Sequence, residues 1–427
     1  DSSNIPKSNP EAFESIAVLP FANMSSDPEQ EYFSDGISEE IINVLAQLPN
    51  LKVTGRTSSF TFKGKHEDLR SIGEKLGVAT LLEGSIRSSG NRIRITAQLI
   101  EVKSGFHLWS ETYDRIINDV FEVQDEIASA ILQKLKITMA GKTVEPKQRE
   151  QTQSVEAYRY YLKGRALVYK RGNYLFEALS LFQKALEIDP QYALAYAGLA
   201  DTYTIICYYG HLEPVETWPK AIESAKLALK FGPDLAESYN CNAGVSMLHD
   251  WNWKLARNQF LKALELNPGY EQARTWYGMF YLQMAFIEHE EAILNIRFSL
   301  DSNPLSFYSY YILGLTLGIA GQHKEGLEKA KMAFEMEPTS YLTALFLAEL
   351  YAWSGHFEEA IDTFDKALLL SNRHSWALSM MTVTYAQWAR KEKAEEFYQE
   401  LTEQSKLKYI QPAVLAMSAA AIGKDDE

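Results

Sequence analysis

Residues 177–190 read EALSLFQKALEIDP, a run in which apolar side chains recur at helical spacing and a proline closes the segment. The same pattern returns three times along the chain, as LARNQFLKALELNP at 255–268, EGLEKAKMAFEMEP at 325–338 and EAIDTFDKALLLSN at 359–372. A single helix of this kind cannot bury its apolar face alone. Its repetition therefore predicts an array in which each unit packs against its neighbours.

The spacing of these segments identifies the type of repeat. Their ends are marked by prolines 190, 233, 268, 304 and 338 and then by Asn372, separated by 43, 35, 36, 34 and 34 residues. This period, with small residues early and Ala-x-x-x-Phe-x-x-Ala late, is the tetratricopeptide signature, which implies two helices per repeat. It predicts about seven pairs over residues 155–409, beginning near Val155, Ala193, Glu237, Glu271, Phe307, Tyr341 and Ser375. Residues 410–427 match only the first helix of a further repeat, so we expect the parent chain to continue.

The composition describes a folded protein of several domain-sized units. The chain has 427 residues, of which 46% are hydrophobic and 23% charged. Its net charge of −14 makes it a poor general binder of nucleic acid or anionic lipid, so we expect neither as a partner of this region. No apolar run reaches the roughly 18 residues of a membrane helix. The two cysteines, Cys207 and Cys241, cannot form a disulfide framework and are expected to be free and buried.

The amino-terminal part has a different pattern. Between residues 15 and 140 the apolar period alternates between that of strands and that of helices, which predicts an α/β domain with a mixed sheet of about five strands and three helices. The predicted strands lie at 15–21, 51–54, 79–87, 91–102 and 106–113, and the helices at 35–48, 68–76 and 120–137. Residues 1–14 and 141–154 are polar and are predicted linkers.

Seven stretches of this domain resemble the TolB-amino-terminal type. They are SIAVLPF (15–21), FSDGISEE (33–40), GRTSSF (55–60), LEGSI (82–86), RITAQL (94–99), HLWSETYD (107–114) and FEVQDEI (121–127). Followed by tetratricopeptide repeats, the domain resembles the carboxy-terminal part of bacterial membrane-bound class III adenylate or guanylate cyclases, or of CadC-like winged-helix regulators. The resemblance implies a periplasmic region tethered through an upstream membrane helix outside this chain, and it supplies no catalytic residues.

No catalytic motif is present, so the sequence predicts neither enzyme activity nor a cofactor. The acidic residues Asp27, Glu29, Glu31 and Asp35 could hold a metal ion, but a solvated loop that ends in a helix cap is the favoured interpretation. Residues 55–60 could present hydroxyls and a guanidinium to an anion, although a turn that bonds its own backbone is favoured. The eight histidines are scattered, and no metal site is expected.

The strongest functional prediction concerns the concave face of the repeat array, which the first helices line. Counting along each repeat places these residues there: Tyr158, Tyr161, Arg165, Tyr169, Asp201, His249, Thr275, Met279, Gln283, Tyr308, Tyr311, Leu345, Glu349, Trp353, Trp376 and Gln387. This aromatic, weakly charged set predicts a protein or peptide partner with an apolar or tyrosine-accepting segment. The alternative is that several of these aromatics only pack against each other.

Two functional hypotheses follow from these observations. The first is a non-enzymatic sensory and protein-interaction region, in which partner binding or homodimerisation controls an output domain outside this chain. The second is a constitutive scaffold for assembly of an envelope complex, without a signalling role. An upstream output domain would separate the two.

Overall fold

The computed structural model describes residues 14–25, 30–46, 51–65, 67–116, 122–123, 126–127, 129–131, 152, 154–172 and 174–424. The chain forms two compact units, one of residues 1–149 with Ser302–Pro304 and one of residues 150–301 with 305–427, and the main division falls inside the stretch that the sequence assigns to a linker. Within the described ranges, no helix has both the length and the apolar character that crossing a membrane requires.

The first unit is built on a six-stranded mixed sheet. Its strands are β1 (Glu14–Val18), β2 (Ala22–Asn23), β3 (Leu51–Val53), β4 (Thr80–Ser89), β5 (Arg92–Glu101) and β6 (His107–Ile116). The order is β3-β1-β4-β5-β6, and β2 pairs with β4 beside β1. β1 runs parallel to both of its neighbours, whereas β4, β5 and β6 form an antiparallel meander.

The alternation along β5 explains how the meander forms the core. Ile93, Ile95, Ala97 and Leu99 are buried, whereas Arg92 and Arg94 at alternate positions are exposed. Ile95 lies opposite Ile86 of β4, so two branched apolar side chains meet on the buried face.

The described helices of this unit are α1 (Gln30–Leu45), α2 (Arg56–Phe60) and α3 (Leu69–Leu76). The predicted start of α1 at residue 35 is wrong: Asp35 lies inside the helix and pairs with Lys63 rather than capping it. Residues 56–60, predicted as a turn, form α2. α3 begins and ends as predicted, because the Asp68 carboxylate accepts from two backbone N–H groups and Gly77 takes a left-handed φ of 64°.

The predicted helix at 120–137 lies partly outside the described residues. Within 122–131, all described residues are helical, and Val123, Ile127 and Ile131 are buried. Their spacing of four places them on one helix face.

The second unit is a stack of antiparallel helix pairs. The first helices of its eight repeats are α4 (Val155–Lys170), α6 (Ala193–Tyr208), α8 (Ala236–Leu248), α10 (Glu271–Trp276), α12 (Phe307–Ile319), α14 (Tyr341–Trp353), α16 (Ser375–Gln387) and α18 (Pro412–Ala421). The second helices are α5 (Tyr174–Ile188), α7 (Pro214–Phe231), α9 (Trp253–Leu266), α11 (His289–Ser302), α13 (His323–Met336), α15 (Phe357–Leu370) and α17 (Lys391–Ser405). The first helices of the seven predicted pairs begin within one residue of their predicted starts, whereas α18 begins at Pro412 instead of residue 410. The architecture is the predicted α/β domain followed by a tetratricopeptide-type superhelix.

Close helix approach depends on small residues that face one large side chain. Phe182 is fully buried between repeats 1 and 2. A methyl group on Gly198 would lie 2.6 Å from its ring, and one on Gly164 would lie 2.7 Å away. Phe260 and Phe364 occupy the same position in later repeats and are also fully buried. Truncating such a phenylalanine to alanine typically costs about 3–5 kcal/mol.

In repeats 3 and 4 the hydrogen-bonded turn after the first helix is one residue longer than in repeat 5. In repeat 5 the turn closes with the Gln322 N–H donating to the Leu317 carbonyl, whereas in repeat 4 the Glu288 N–H reaches back to Leu282. The extra residue in repeat 4 is accommodated by a π-helical segment, Tyr277–Ala285, which continues α10. Such segments are rare and often occur at functional sites.

The same turns differ in their left-handed residue. Repeats 5 and 6 place Gly321 and Gly355 there, with φ of 77° and 79°. Repeats 3 and 4 place Trp251 and Ile287 there, with φ of 53° and 60°. A bulky or β-branched residue in this conformation costs roughly 1–2 kcal/mol relative to its preferred backbone.

Candidate functional site

A polar cleft lies on the concave face of repeats 1 to 4. Its walls come from the first helices of these repeats, from Phe182 of α5 and from Tyr270, which precedes α10, and its cavity volume is ≈ 30 Å³. The polar side chains that line it are Tyr161, Arg165, Asp201, Glu237, Tyr270 and Gln272. Three of them, Tyr161, Arg165 and Asp201, belong to the set predicted from the sequence.

Asp201 is the central acidic group of this cleft. One carboxylate oxygen accepts a hydrogen bond from Gln272 Nε2 at 2.8 Å, and the other lies 3.5 Å from Asn240 Nδ2. Burial raises the pKa of Asp201 to about 7, against the opposing effects of the Gln272 hydrogen bond and of Arg171 and Arg165. The carboxyl group therefore changes its charge near neutral pH.

Arg165 provides a positively charged group at the same cleft. Its Nη1 donates a hydrogen bond to the Tyr161 hydroxyl at 3.0 Å. The Tyr161 ring is fixed by edge contact with Tyr192, with centroids 5.2 Å apart, and by Phe182 at 6.0 Å. Buried packing thus positions a cation beside two carboxylates, and the cleft offers both donors and acceptors to a ligand.

Aromatic side chains fill the concave face farther along the array. The Tyr308 hydroxyl accepts from Trp276 Nε1 at 3.2 Å and from Thr275 Oγ1 at 3.3 Å. Tyr311 stacks on Phe346 with ring centroids 5.1 Å apart. This part of the face is packed by the protein's own side chains, which was the alternative interpretation of the aromatic set.

The array also contacts itself between distant repeats, through what we term the closing contact: Tyr208, Tyr209 and His211 of repeat 2 against His374, Trp376 and Gln411 of repeats 7 and 8. The Tyr208 ring lies 5.4 Å from that of Trp376. Gln411 Nε2 donates to the Tyr208 carbonyl at 2.8 Å, and Trp376 Nε1 donates to Gln411 Oε1 at 2.7 Å. The closing contact therefore joins repeat 2 directly to repeats 7 and 8.

The titratable groups near the closing contact are held uncharged by burial. The rings of His211 and His374 lie 5.1 Å apart. Desolvation, together with His211 and Lys408, lowers the pKa of His374 to about 3. Desolvation also raises the pKa of Glu349, inside the array, to about 8.

The predicted concave residues thus have different environments. Those buried in packing are Tyr158, Tyr161, Asp201, Thr275, Met279, Gln283, Tyr311 and Leu345. Those half-buried are Arg165, Tyr308, Glu349, Trp353 and Trp376, whereas His249 and Gln387 are exposed. The side chain of Tyr169 lies outside the described residues. The sequence analysis missed Glu237, Tyr270 and Gln272: Glu237 and Gln272 are the second residues of α8 and α10, and Tyr270 immediately precedes α10.

The alternative sites proposed for the first unit have structural partners. Glu31 and Asp35 both pair with Lys63, at 2.9 and 2.6 Å. Arg56 pairs with Glu39 at 3.0 Å. Asp27 and Glu29 lie outside the described residues, and among those described no group of His, Cys, Asp and Glu is arranged to hold a metal ion. Both cysteines are free and buried, as predicted.

Comparison with known proteins supports the fold and gives one close sequence relative. No family model matches the chain. It is 44% identical over 187 residues to "Putative adenylate cyclase 3" of Rhizobium meliloti (strain 1021), covering 44% of this chain and 32% of that protein. It is 24% identical over 177 residues to human tetratricopeptide repeat protein 6, covering 41% of this chain and 32% of that protein. The chain therefore spans about a third of the length of these relatives.

Among solved structures, the human IFIT1 dimer with PPP-AAAA matches with a TM-score of 0.51 at 15% identity. The match covers 70% of this chain and 68% of IFIT1, and it shows a shared helical-repeat fold. The second unit is thus a tetratricopeptide-type array. Arrays of this kind present concave surfaces on which protein partners can bind.

Proposed function

We propose that this chain is the sensory and protein-interaction region of a bacterial membrane regulator, and that its partner binds at the polar cleft of repeats 1 to 4. The regulator assignment is supported by the relative named as an adenylate cyclase, of which this chain matches about a third. We identify no residue of this chain that would carry cyclase activity, and we propose that the chain is non-catalytic. We also propose that it is periplasmic, as the resemblance to membrane-bound regulators implies.

The observation that supports the cleft most strongly is the state of Asp201. A buried carboxyl whose pKa is raised to about 7 destabilises the folded protein whenever it is ionised. Asparagine has nearly the same shape and lacks that cost. The carboxyl group joins repeat 2 to repeats 3 and 4 through Asn240 and Gln272, and we propose that a ligand also uses it, beside Arg165 and Glu237.

The chemistry of the cleft specifies the kind of segment it receives. Arg165 donates hydrogen bonds, the carboxylates of Asp201 and Glu237 accept them, and Gln272 does both. A peptide segment presents both kinds of group along its backbone. We therefore propose a peptide in extended form, with polar side chains, in place of the apolar segment predicted from the sequence.

A constitutive scaffold is the second candidate, and the closing contact favours it. Contacts between repeat 2 and repeats 7 and 8 hold the array in one shape, as a rigid assembly platform requires. On this proposal the cleft would bind its partner permanently, and no output domain would respond.

Two experiments separate these proposals. Sequencing the parent gene outward from both ends tests the regulator proposal. A membrane helix preceded by a cyclase or winged-helix domain supports it, whereas a bare signal peptide leaves the scaffold proposal.

Partner capture with Arg165→Ala and Gln272→Ala tests the cleft, since neither change removes a buried apolar side chain. Tyr311→Ala is a poorer probe, because Tyr311 is buried against Phe346. Unchanged capture by both cleft variants would place the binding site elsewhere.

A further inference from the structure

Repeats 3 and 4 carry a cluster of aromatic and aliphatic side chains on their exposed turns. We name it the turn patch: Trp251, Trp253, Met284, Phe286 and Ile287. Trp251 is 70% exposed and Ile287 68%. The patch is continuous across the two repeats, because the Trp253 ring lies 5.8 Å from that of Trp251 and 5.9 Å from that of Phe286.

The two most exposed residues occupy strained backbone positions. Trp251 and Ile287 have φ of 53° and 60°, in the turn position where Gly321 and Gly355 serve later repeats. Glycine would remove the strain, and it would also remove the exposed side chain. These two positions keep both a strained backbone and an exposed apolar side chain. We infer that the side chains contact another molecule.

The same two repeats hold the extra residue that lengthens their turns. In repeat 3 the Asn252 N–H bonds to the Ser246 carbonyl, and in repeat 4 the Glu288 N–H bonds to Leu282, each over six residues. The hydrogen-bonded turn of each of these repeats is thus one residue longer than that of repeat 5, and in repeat 4 it follows a π-helical segment. The turn patch thus combines three independent departures from the repeat: length, strain and exposure.

The charges around the patch limit what can cover it. Its flanking segments, 249–254 and 284–291, contain four carboxylates, Asp250, Glu288, Glu290 and Glu291, against one lysine, Lys254. All four acidic residues are exposed. An anionic lipid surface would be repelled by this rim, and a second copy of the patch would bring the same acidic rim against itself.

We propose that the turn patch is a docking surface for a basic, apolar segment of a partner protein, with aliphatic side chains on the aromatic rings and flanking Lys or Arg on the acidic rim. Charge complementarity selects this occupant over a membrane and over a second copy. The surface is separate from the cleft of the proposed function, because none of its residues lines that cleft.

The test uses the full chain and two labelled helical peptides of equal length, one of Leu and Lys and one of Leu and Glu, in fluorescence anisotropy. The key variant is Trp251→Gly with Ile287→Gly, which removes both exposed side chains and relieves the backbone. We expect the Lys peptide to bind and the double variant to bind it at least about tenfold more weakly. We also expect the variant to melt at the same or a higher temperature, because glycine suits the left-handed turn.

The matched control is Ala389→Gly, which makes the same backbone change in repeat 7, where φ is 57°. It should leave peptide affinity unchanged. Charge reversal with Glu288→Lys and Glu290→Lys should weaken binding of the Lys peptide and strengthen binding of the Glu peptide.

Four results would overturn the proposal. The first two are failure of the wild-type chain to bind the Lys peptide and equal binding of both peptides. The third is binding that the double glycine variant leaves unchanged. The fourth is a double glycine variant that does not fold together with a charge-reversed variant that still binds the Lys peptide. Sedimentation that shows a dimer dissolved by the double variant would assign the patch to a second copy. Co-flotation with phosphatidylglycerol vesicles, lost in the same variant, would assign it to a membrane.

Discussion

Replacing Asp201 by asparagine should make the protein more stable, by an amount that depends on pH. The folded protein holds this carboxyl with a pKa of about 7, whereas the usual value for an aspartate is 3.8. Between these two pH values the folded state binds a proton that the unfolded state has released. The wild-type chain therefore loses stability as the pH rises from about 4 to 7, and the asparagine variant avoids that loss.

The magnitude follows from the size of the shift. One pKa unit corresponds to about 1.4 kcal/mol, so a shift of this size amounts to on the order of 4 kcal/mol at pH 7 and above. Loss of a charge-assisted hydrogen bond from Gln272 reduces the benefit by about 1–2 kcal/mol. We expect the asparagine variant to gain about 2–3 kcal/mol relative to wild type at pH 7.5, and close to nothing at pH 4.

Urea unfolding of both proteins at several pH values between 4 and 8 measures this difference directly. The matched control is Asp234→Asn, at an exposed aspartate in the next inter-repeat turn, which should show little pH-dependent difference. A stability difference for Asp201→Asn that is the same at pH 4 and pH 7.5 would refute the argument that burial has raised this pKa.

Three further predictions concern the closing contact, helix packing and Glu349. Gln411→Ala removes the side-chain hydrogen bonds of the closing contact. Backbone amides of the repeat 2 turn should therefore exchange faster with deuterium, and the free energy of unfolding should fall by about 1–3 kcal/mol. The control Gln399→Ala, at an exposed residue, should change neither quantity. Gly198→Ala forces a methyl group against a buried ring and should cost about 1–3 kcal/mol in thermal unfolding, whereas Gly269→Ala, whose nearest neighbour is 3.7 Å away, should be tolerated. Glu349→Gln should raise the melting temperature by an amount that grows from pH 5 to pH 8, because desolvation raises the pKa of this carboxyl to about 8, and a constant gain would contradict that cause.

The repeat array could be predicted because its signals are local. The fully buried Phe182, Phe260 and Phe364, and the glycines and prolines around them, fix helix starts, ends and close approaches within one or two repeats. The strands β4 and β5 could be predicted for the same reason, since alternation and a short turn determine a hairpin locally.

The concave face could be predicted only in part, because it depends on the pitch of the whole array. Gln411 reaches Tyr208 across 203 residues, and no local pattern encodes that approach. The only sequence signal near this contact is the pair of adjacent tyrosines, Tyr208 and Tyr209, in repeat 2. The predicted start of α1 is wrong because Asp35 has the residue type of a helix cap. In the structure Asp35 lies inside the helix and pairs with Lys63, a tertiary contact that no local pattern shows.

The most direct test of partner binding at the cleft is photo-cross-linking in cells that express the full-length protein. A benzophenone amino acid placed at Gln272, in the cleft, is compared with one at Glu187, on an exposed part of α5. We expect a cross-linked protein from position 272 and not from position 187, and its loss when Arg165→Ala is added. Cross-links of equal yield from both positions, or cross-links at position 272 that survive Arg165→Ala, would contradict the assignment of the cleft as the partner site.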